Sequence, residues 1–114
     1  MDNIILKIAM DFSRTPGVRY KNEGEFSGEE FRNSCLRPKL AQALSNHVKL
    51  IVDLDGTAGL GTSFLEESFG GLIREDGFEY KTLQENIEFV SNENPDYIDE
   101  VNEYLKDAYE KKGK

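Results

Sequence analysis

Apolar residues change their spacing along the chain. Ile4, Ile5, Leu6 and Ile8 lie close together, as do Leu50, Ile51, Val52 and Leu54, and then Ile87 to Val90. Short apolar runs of this kind predict strands, over Asn3–Met10, Val48–Leu54 and Ile87–Val90. Only Asp53 breaks the middle run, so it reads as the most buried, central strand, covered on both faces. Val18–Lys21 is a candidate edge strand, and Phe78–Tyr80 a second edge strand or a loop.

Between these runs the apolar residues return at helical spacing. Phe64, Leu65, Ser68, Phe69, Leu72 and Ile73 make one stripe over 63–74, and Ile98, Val101, Leu105 and Ala108 another, flanked by Tyr97, Tyr104 and Tyr109. Ser27-Gly28-Glu29-Glu30 is a capping-box start. Phe31, Cys35 and Leu36 form the apolar side of a helix over 28–36. Pro38 opens a second segment over 38–46, with Leu40, Ala43 and Leu44 inward. Thr62 or Ser63 is the expected cap of the next helix, with Ser63 and Glu66 as its capping box. Asp76-Gly77 ends that helix, Leu83 begins a short turn, and Asn94-Pro95 opens the last helix. Lys111, Lys112 and Lys114 sit at its carboxyl end, where cations suit the helix dipole.

Strands separated by helices imply right-handed parallel crossovers. The class is α/β: one domain over residues 1–114, with a small, largely parallel mixed sheet and three to four helices. Gly56, Gly59 and Gly61 form a loop at the carboxyl end of the central strand, where such folds place function.

Composition narrows the function. The 114 residues carry a net charge of −8. Residues 1–52 hold eight Lys/Arg against six Asp/Glu, and residues 53–114 hold six against sixteen. The acidic half disfavours nucleic acid and anionic membranes as partners. No apolar run is long enough to span a bilayer, and Asp2 and Lys7 set the first run apart from a signal peptide. With a single cysteine, the cytoplasm is the expected compartment. His47 reads as a turn residue between helix and strand, and Cys35 as a core residue. Arg14, Arg19, Lys21, Arg32, Arg37 and Lys39 make the first half locally basic and read as solvated.

Asp53-Leu54-Asp55-Gly56-Thr57 has two readings. It resembles the first motif of haloacid-dehalogenase-like phosphatases, in which the first carboxylate is the nucleophile and Mg²⁺ neutralises the phosphate. The motif here lies mid-chain, and no acidic pair follows the Ile87–Val90 strand. The reading adopted is that both carboxylates bond backbone N–H groups at the strand end. Gly59-Leu60-Gly61-Thr62 lacks the lysine of a P-loop and the third glycine of a dinucleotide fingerprint. No cofactor or metal is implied.

The strand, loop and helix over 50–73 resemble the signature of the STAS domain, named for sulfate transporters and anti-sigma-factor antagonists. Val52-Asp53-Leu54 matches the strand end, Gly56 the glycine, and Thr62 the phosphorylatable serine, with Ser63 and Leu65 following. Phe12-Ser13, Pro16-Gly17-x-Arg19, Phe26-Ser27-Gly28-Glu29-x-Phe31-Arg32, Pro38 and Ser63-Phe64-Leu65-Glu66-Glu67-x-Phe69-Gly70 are similar to a bacterial STAS-like family of unknown function. Gly61 stands where the antagonists have an acidic residue, and Thr62 replaces their serine. The resemblance implies a STAS-like sandwich and a non-catalytic regulator that binds a protein partner, a kinase of the histidine-kinase-like ATPase fold. It implies phosphorylation at the 62–63 helix start. Asp55, Gly59, Gly61, Thr62, Ser63 and Glu66 are the candidate switch and interaction residues.

Overall fold

The computed structural model describes residues 2–112, so Lys114 lies outside the described residues. Three strands form the sheet: β1 (Ile4–Lys7), β2 (Leu50–Asp53) and β3 (Ile87–Val90). Their order is β1-β2-β3 and both pairings are parallel. Four helical runs accompany them. α1 covers 28–45, α2 covers 62–74, α3 is Tyr80–Asn86 and α4 is Asp96–Lys112. This is an α/β fold, as the sequence pattern predicts, with β2 central.

The sheet is wholly parallel rather than mixed. Val18 and Arg19 form no strand, because their carbonyls serve the start of α1. Gly28 N–H donates to Val18 O at 2.8 Å and Glu29 N–H to Arg19 O at 3.0 Å. Ser27 Oγ accepts from Glu30 N–H at 3.0 Å. The free donors of this helix end are thereby satisfied. Lys21–Glu23 then makes a 3₁₀ turn.

β1 is also shorter than Asn3–Met10. Lys7 N–H donates to Asp11 Oδ2 at 2.8 Å, and Ile8–Phe12 forms a π-helical turn. Phe78 lies in a loop, and Tyr80 and Leu83 belong to α3 rather than to an edge strand or a short turn.

Pro38 does not divide α1. A π-helical turn over Arg32–Leu36 precedes it, and Arg37 N–H reaches back to Arg32 O. The wider turn relieves the clash between a proline ring and the carbonyl four residues earlier, so the chain stays helical through Ser45. His47 adopts φ 57° between α1 and β2 and so makes the turn.

The register aligns Leu6, Val52 and Phe89 on one sheet face and Ile5, Ile51 and Glu88 on the other. The helices cover only the first face. Leu6, Leu50 and Val52 are fully buried, whereas Ile5 is 56% exposed. The central strand is therefore covered on one face and not, as expected, on both: three strands leave α1, α2 and α4 one shared core. Phenylalanines fill it. Phe31 lies 5.2 Å from Phe12, 5.6 Å from Phe64 and 6.4 Å from Phe69, and Phe69 meets Phe89 edge-on at 5.3 Å. No helix among the described residues is long and apolar enough to cross a membrane.

Phe31→Ala should lower stability by about 3–5 kcal/mol, because it empties the centre of this cluster. Ile5→Ala, on the open face, should change it by less than about 0.5 kcal/mol. Urea unfolding of the two variants measures the difference.

Candidate functional site

β2 ends in carboxylates that build its loop. Asp53 Oδ1 accepts Asp55 N–H at 2.9 Å. Asp55 then ties this loop to the one after β3. Its Oδ2 accepts the main-chain N–H and the side-chain amide of Asn92, both at 3.1 Å, and its Oδ1 accepts Glu93 N–H at 2.9 Å. Glu93 returns the contact by accepting Gly56 N–H at 2.6 Å. The N–H of Glu93, ahead of those of Asn92, holds the Asp55 carboxyl below its ordinary range. Tyr97 Oη accepts Leu60 N–H at 3.1 Å, and Arg14 O accepts Ala58 N–H at 2.8 Å. A small polar cavity of about 250 Å³ lies between the two loops.

Among the loop glycines only Gly56, at φ 92°, needs its freedom for the turn. A Cβ on Gly59 or Gly61 would meet no atom within 4 Å, so both face open space.

The expected caps do not form. Gly61 is the N-cap of α2, and Thr62 and Ser63 lie inside the helix with no side-chain cap. Leu65 N–H donates to Gly61 O at 3.1 Å, which fixes this register. Thr62 and Ser63 are exposed. No protein acceptor among the described residues takes the N–H of Thr62, Ser63 or Phe64. The start of α1 is closed by its own chain, and the start of α2 is open.

Glu66 does not reach back as a capping-box partner. Arg19 and Arg74 hold it: Arg74 Nη1 donates to Oε2 at 2.6 Å, and Arg19 Nη1 to Oε1. Burial pushes its carboxyl up, but the hydrogen bonds from Arg74 and Arg19 outweigh burial and hold it below the usual range. Arg19, Glu66 and Arg74 line a cleft of about 540 Å³ against Tyr104, Asp107 and Lys111 of α4.

Glu66 belongs to a larger network. Arg32 is 5% exposed and Glu67 3%. Arg32 Nη1 donates to the Glu67 carboxylate and, at 2.8 Å, to Glu67 O. Its Nε faces Asp76 Oδ2 at 3.2 Å as an ion contact too bent for a hydrogen bond. Arg37 pairs with Asp76 at 2.9 Å, and Arg74 with Glu67 at 3.1 Å. So Arg19, Arg32 and Arg37, expected to be solvated, pair with acids of the second half. Their signal was the spread of charge between halves and the Glu66-Glu67 pair. Cys35 is half-buried, and burial, aided by Asp11 and Glu30, pushes its thiol up. Among the described residues no three His, Cys, Asp or Glu side chains are placed to hold a metal.

The chain is thus a parallel α/β domain with a structured loop and an open helix start at one strand end. The family model described as a STAS-like domain of unknown function matches residues 27–97, more than half of the chain. The chain belongs to that family. Comparison with curated proteins and with solved structures finds no match.

Two outcomes test this geometry. Arg32→Met removes the buried cation between Glu67 and Asp76, leaving them only Arg74 and Arg37 nearer the surface, and should cost up to about 3–5 kcal/mol, whereas Arg32→Met with Glu67→Leu should cost less than the sum of the single changes. Denaturant unfolding of the full cycle measures both. The folded values of Asp55 and Glu66 lie below the unfolded carboxylate range of about 4. Their contribution to stability is therefore complete above that range and is lost as pH falls through the lower folded values. Thermal melts at neutral pH and at about pH 3 should show a smaller acid loss for Asp55→Asn than for wild type.

Proposed function

We propose that the chain is a non-catalytic regulatory module that binds a protein partner through the loop and helix start over residues 55–63, with Thr62 or Ser63 as a phosphoacceptor. The observation that carries this reading is that both hydroxyls are exposed and neither caps the helix. Capping was the structural use open to them, and Gly61 has taken that position. A phosphate here brings about −1.5 to −2 charges to the open end of α2, where unbonded N–H groups and the helix dipole favour an anion. The fold accommodates that charge, and a docked surface does not. Asp55 and Glu66 frame the site, one holding the loop and the other tying α2 to Arg19, while Gly59 and Gly61 leave room for a partner's backbone. The partner this favours is a kinase of the histidine-kinase-like ATPase fold, which would add the phosphate and so release itself.

A phosphatase would need Asp53 and Asp55 free for substrate. Asp53 accepts a backbone N–H, and both oxygens of Asp55 are engaged in the loop. That usage favours the non-catalytic reading.

Mass spectrometry of the protein recovered from its native cell should place phosphate on Thr62 or Ser63. Thr62→Glu should fold with stability within about 1 kcal/mol of wild type, since the charge suits the helix start. Its partner recovery in pull-down should fall. Unmodified Thr62 and Ser63 together with undiminished recovery of Thr62→Glu would remove this site from the interface.

A further inference from the structure

We propose that the outer edge of β3, with the groove beside it, receives an extended Lys- or Arg-rich segment of a partner protein as a fourth strand. This surface shares no residue with the 55–63 loop.

The two edges of the sheet are treated differently. Ile4 N–H donates to Lys49 O, so Ile4 and Leu6 face β2, and Ile5 and Lys7 turn their peptide groups outward. Asp11 accepts the N–H of Lys7, and the π-helical turn then carries the chain away. The β1 edge is blunted by its own sequence.

The β3 edge is not. Leu54 N–H donates to Val90 O at 2.7 Å. In a parallel ladder that turns Glu88 and Val90 toward β2 and leaves Phe89 facing outward. Ile87 N–H is consumed by Leu83 O as α3 ends. The N–H and C=O of Phe89 and the C=O of Ile87 have no hydrogen-bond partner among the described residues.

A groove of about 510 Å³ runs along this edge between α3 and α4. Leu83, Ile87, Phe89, Ile98 and Leu105 give it apolar lining, and Gln84, Glu88 and Asn102 line it with polar groups. Free main-chain donors and acceptors beside an apolar slot specify an extended backbone, which pairs with the edge and sends alternate side chains into the slot. Charge specifies the rest. Glu88 stands at the rim, where Lys49 pairs with it at 2.9 Å. The half of the chain that builds the groove carries ten more acids than bases. A second copy would bring the same negative charge to the same edge, whereas a basic strand is attracted to it.

The test uses a fluorescein-labelled peptide of alternating Lys and Val, an alternating Glu and Val control, fluorescence polarisation, and amide hydrogen exchange by NMR. The Lys peptide should bind saturably, more weakly at high salt, and should slow exchange at the Phe89 amide by about tenfold or more. Asn102→Trp, which fills the groove from an exposed position, should abolish binding while leaving thermal unfolding unchanged. Glu88→Lys should weaken binding severalfold and flatten its salt dependence. The proposal is overturned if the Lys peptide does not bind, or if the Glu peptide binds equally well. It also fails if Asn102→Trp retains binding, if Phe89 exchange is unchanged in the complex, or if sedimentation shows a peptide-free dimer that protects the Phe89 amide.

Discussion

Arg32 and Glu67 put opposite charges where almost no water reaches, at the crossing of two helices. Taking either charge out of water costs several kcal/mol, and only close mutual contact with further partners offsets that. The structure supplies those partners from both sides. Asp76 and Arg37 continue the alternation at one end, Arg74, Glu66 and Arg19 at the other. Backbone space is made for it as well. A Cβ on Gly71 would lie 2.2 Å from Arg32 Nη1, and one on Gly28 would lie 2.7 Å from Phe64 O. Glycine at both places lets α1 and α2 approach around a buried guanidinium. Both helices widen into π-helical turns here, over Arg32–Leu36 and Glu66–Gly70. A pair of this kind adds little net stability beside an apolar substitute of equal volume, but losing one partner is costly because the other charge stays buried.

That fixed crossing positions what lies at the ends. With α1 and α2 locked, Phe31, Phe64 and Phe69 meet above one sheet face, and the core closes there. The start of α2 is delivered beside the carboxyl end of β2, and Asp55 binds the following loop to the loop after β3. The exposed hydroxyls of Thr62 and Ser63 therefore stand on a framed surface rather than on a slack loop. Preorganisation of this kind reduces the ordering cost that a partner would otherwise meet on docking.

The same economy of layers leaves surfaces without cover. One sheet face carries Lys7, Lys49 and Glu88 among its apolar residues, and Lys49 pairs with Glu88 across it at 2.9 Å. That face is suited to water. The β3 edge differs, because its unpaired peptide groups lie beside an apolar groove.

The alternation of strands and helices, the central place of Leu50–Asp53, the cap at Ser27 and the turn at His47 are legible in the amino-acid order. These follow from local rules: apolar period, β-branching, and side chains that bond nearby backbone. Asp53 and Asp55 were readable as loop-building carboxylates for the same reason. The tertiary structure decided the rest. Val18 and Arg19 look like a strand in isolation, but the unsatisfied N–H groups of α1 compete for their carbonyls and win. Ser63 and Glu66 have capping-box spacing, yet Arg19, 47 residues away from Glu66 in sequence, and Arg74 hold that glutamate instead. Pro38 breaks a regular helix but not one already widened before it. Arg32 appears as a surface cation until Glu67 and Asp76 are brought against it. Apart from the Pro38 turn, each of these outcomes depends on a partner that only folding brings close, and one-dimensional spacing carries no record of which separated groups will be buried together.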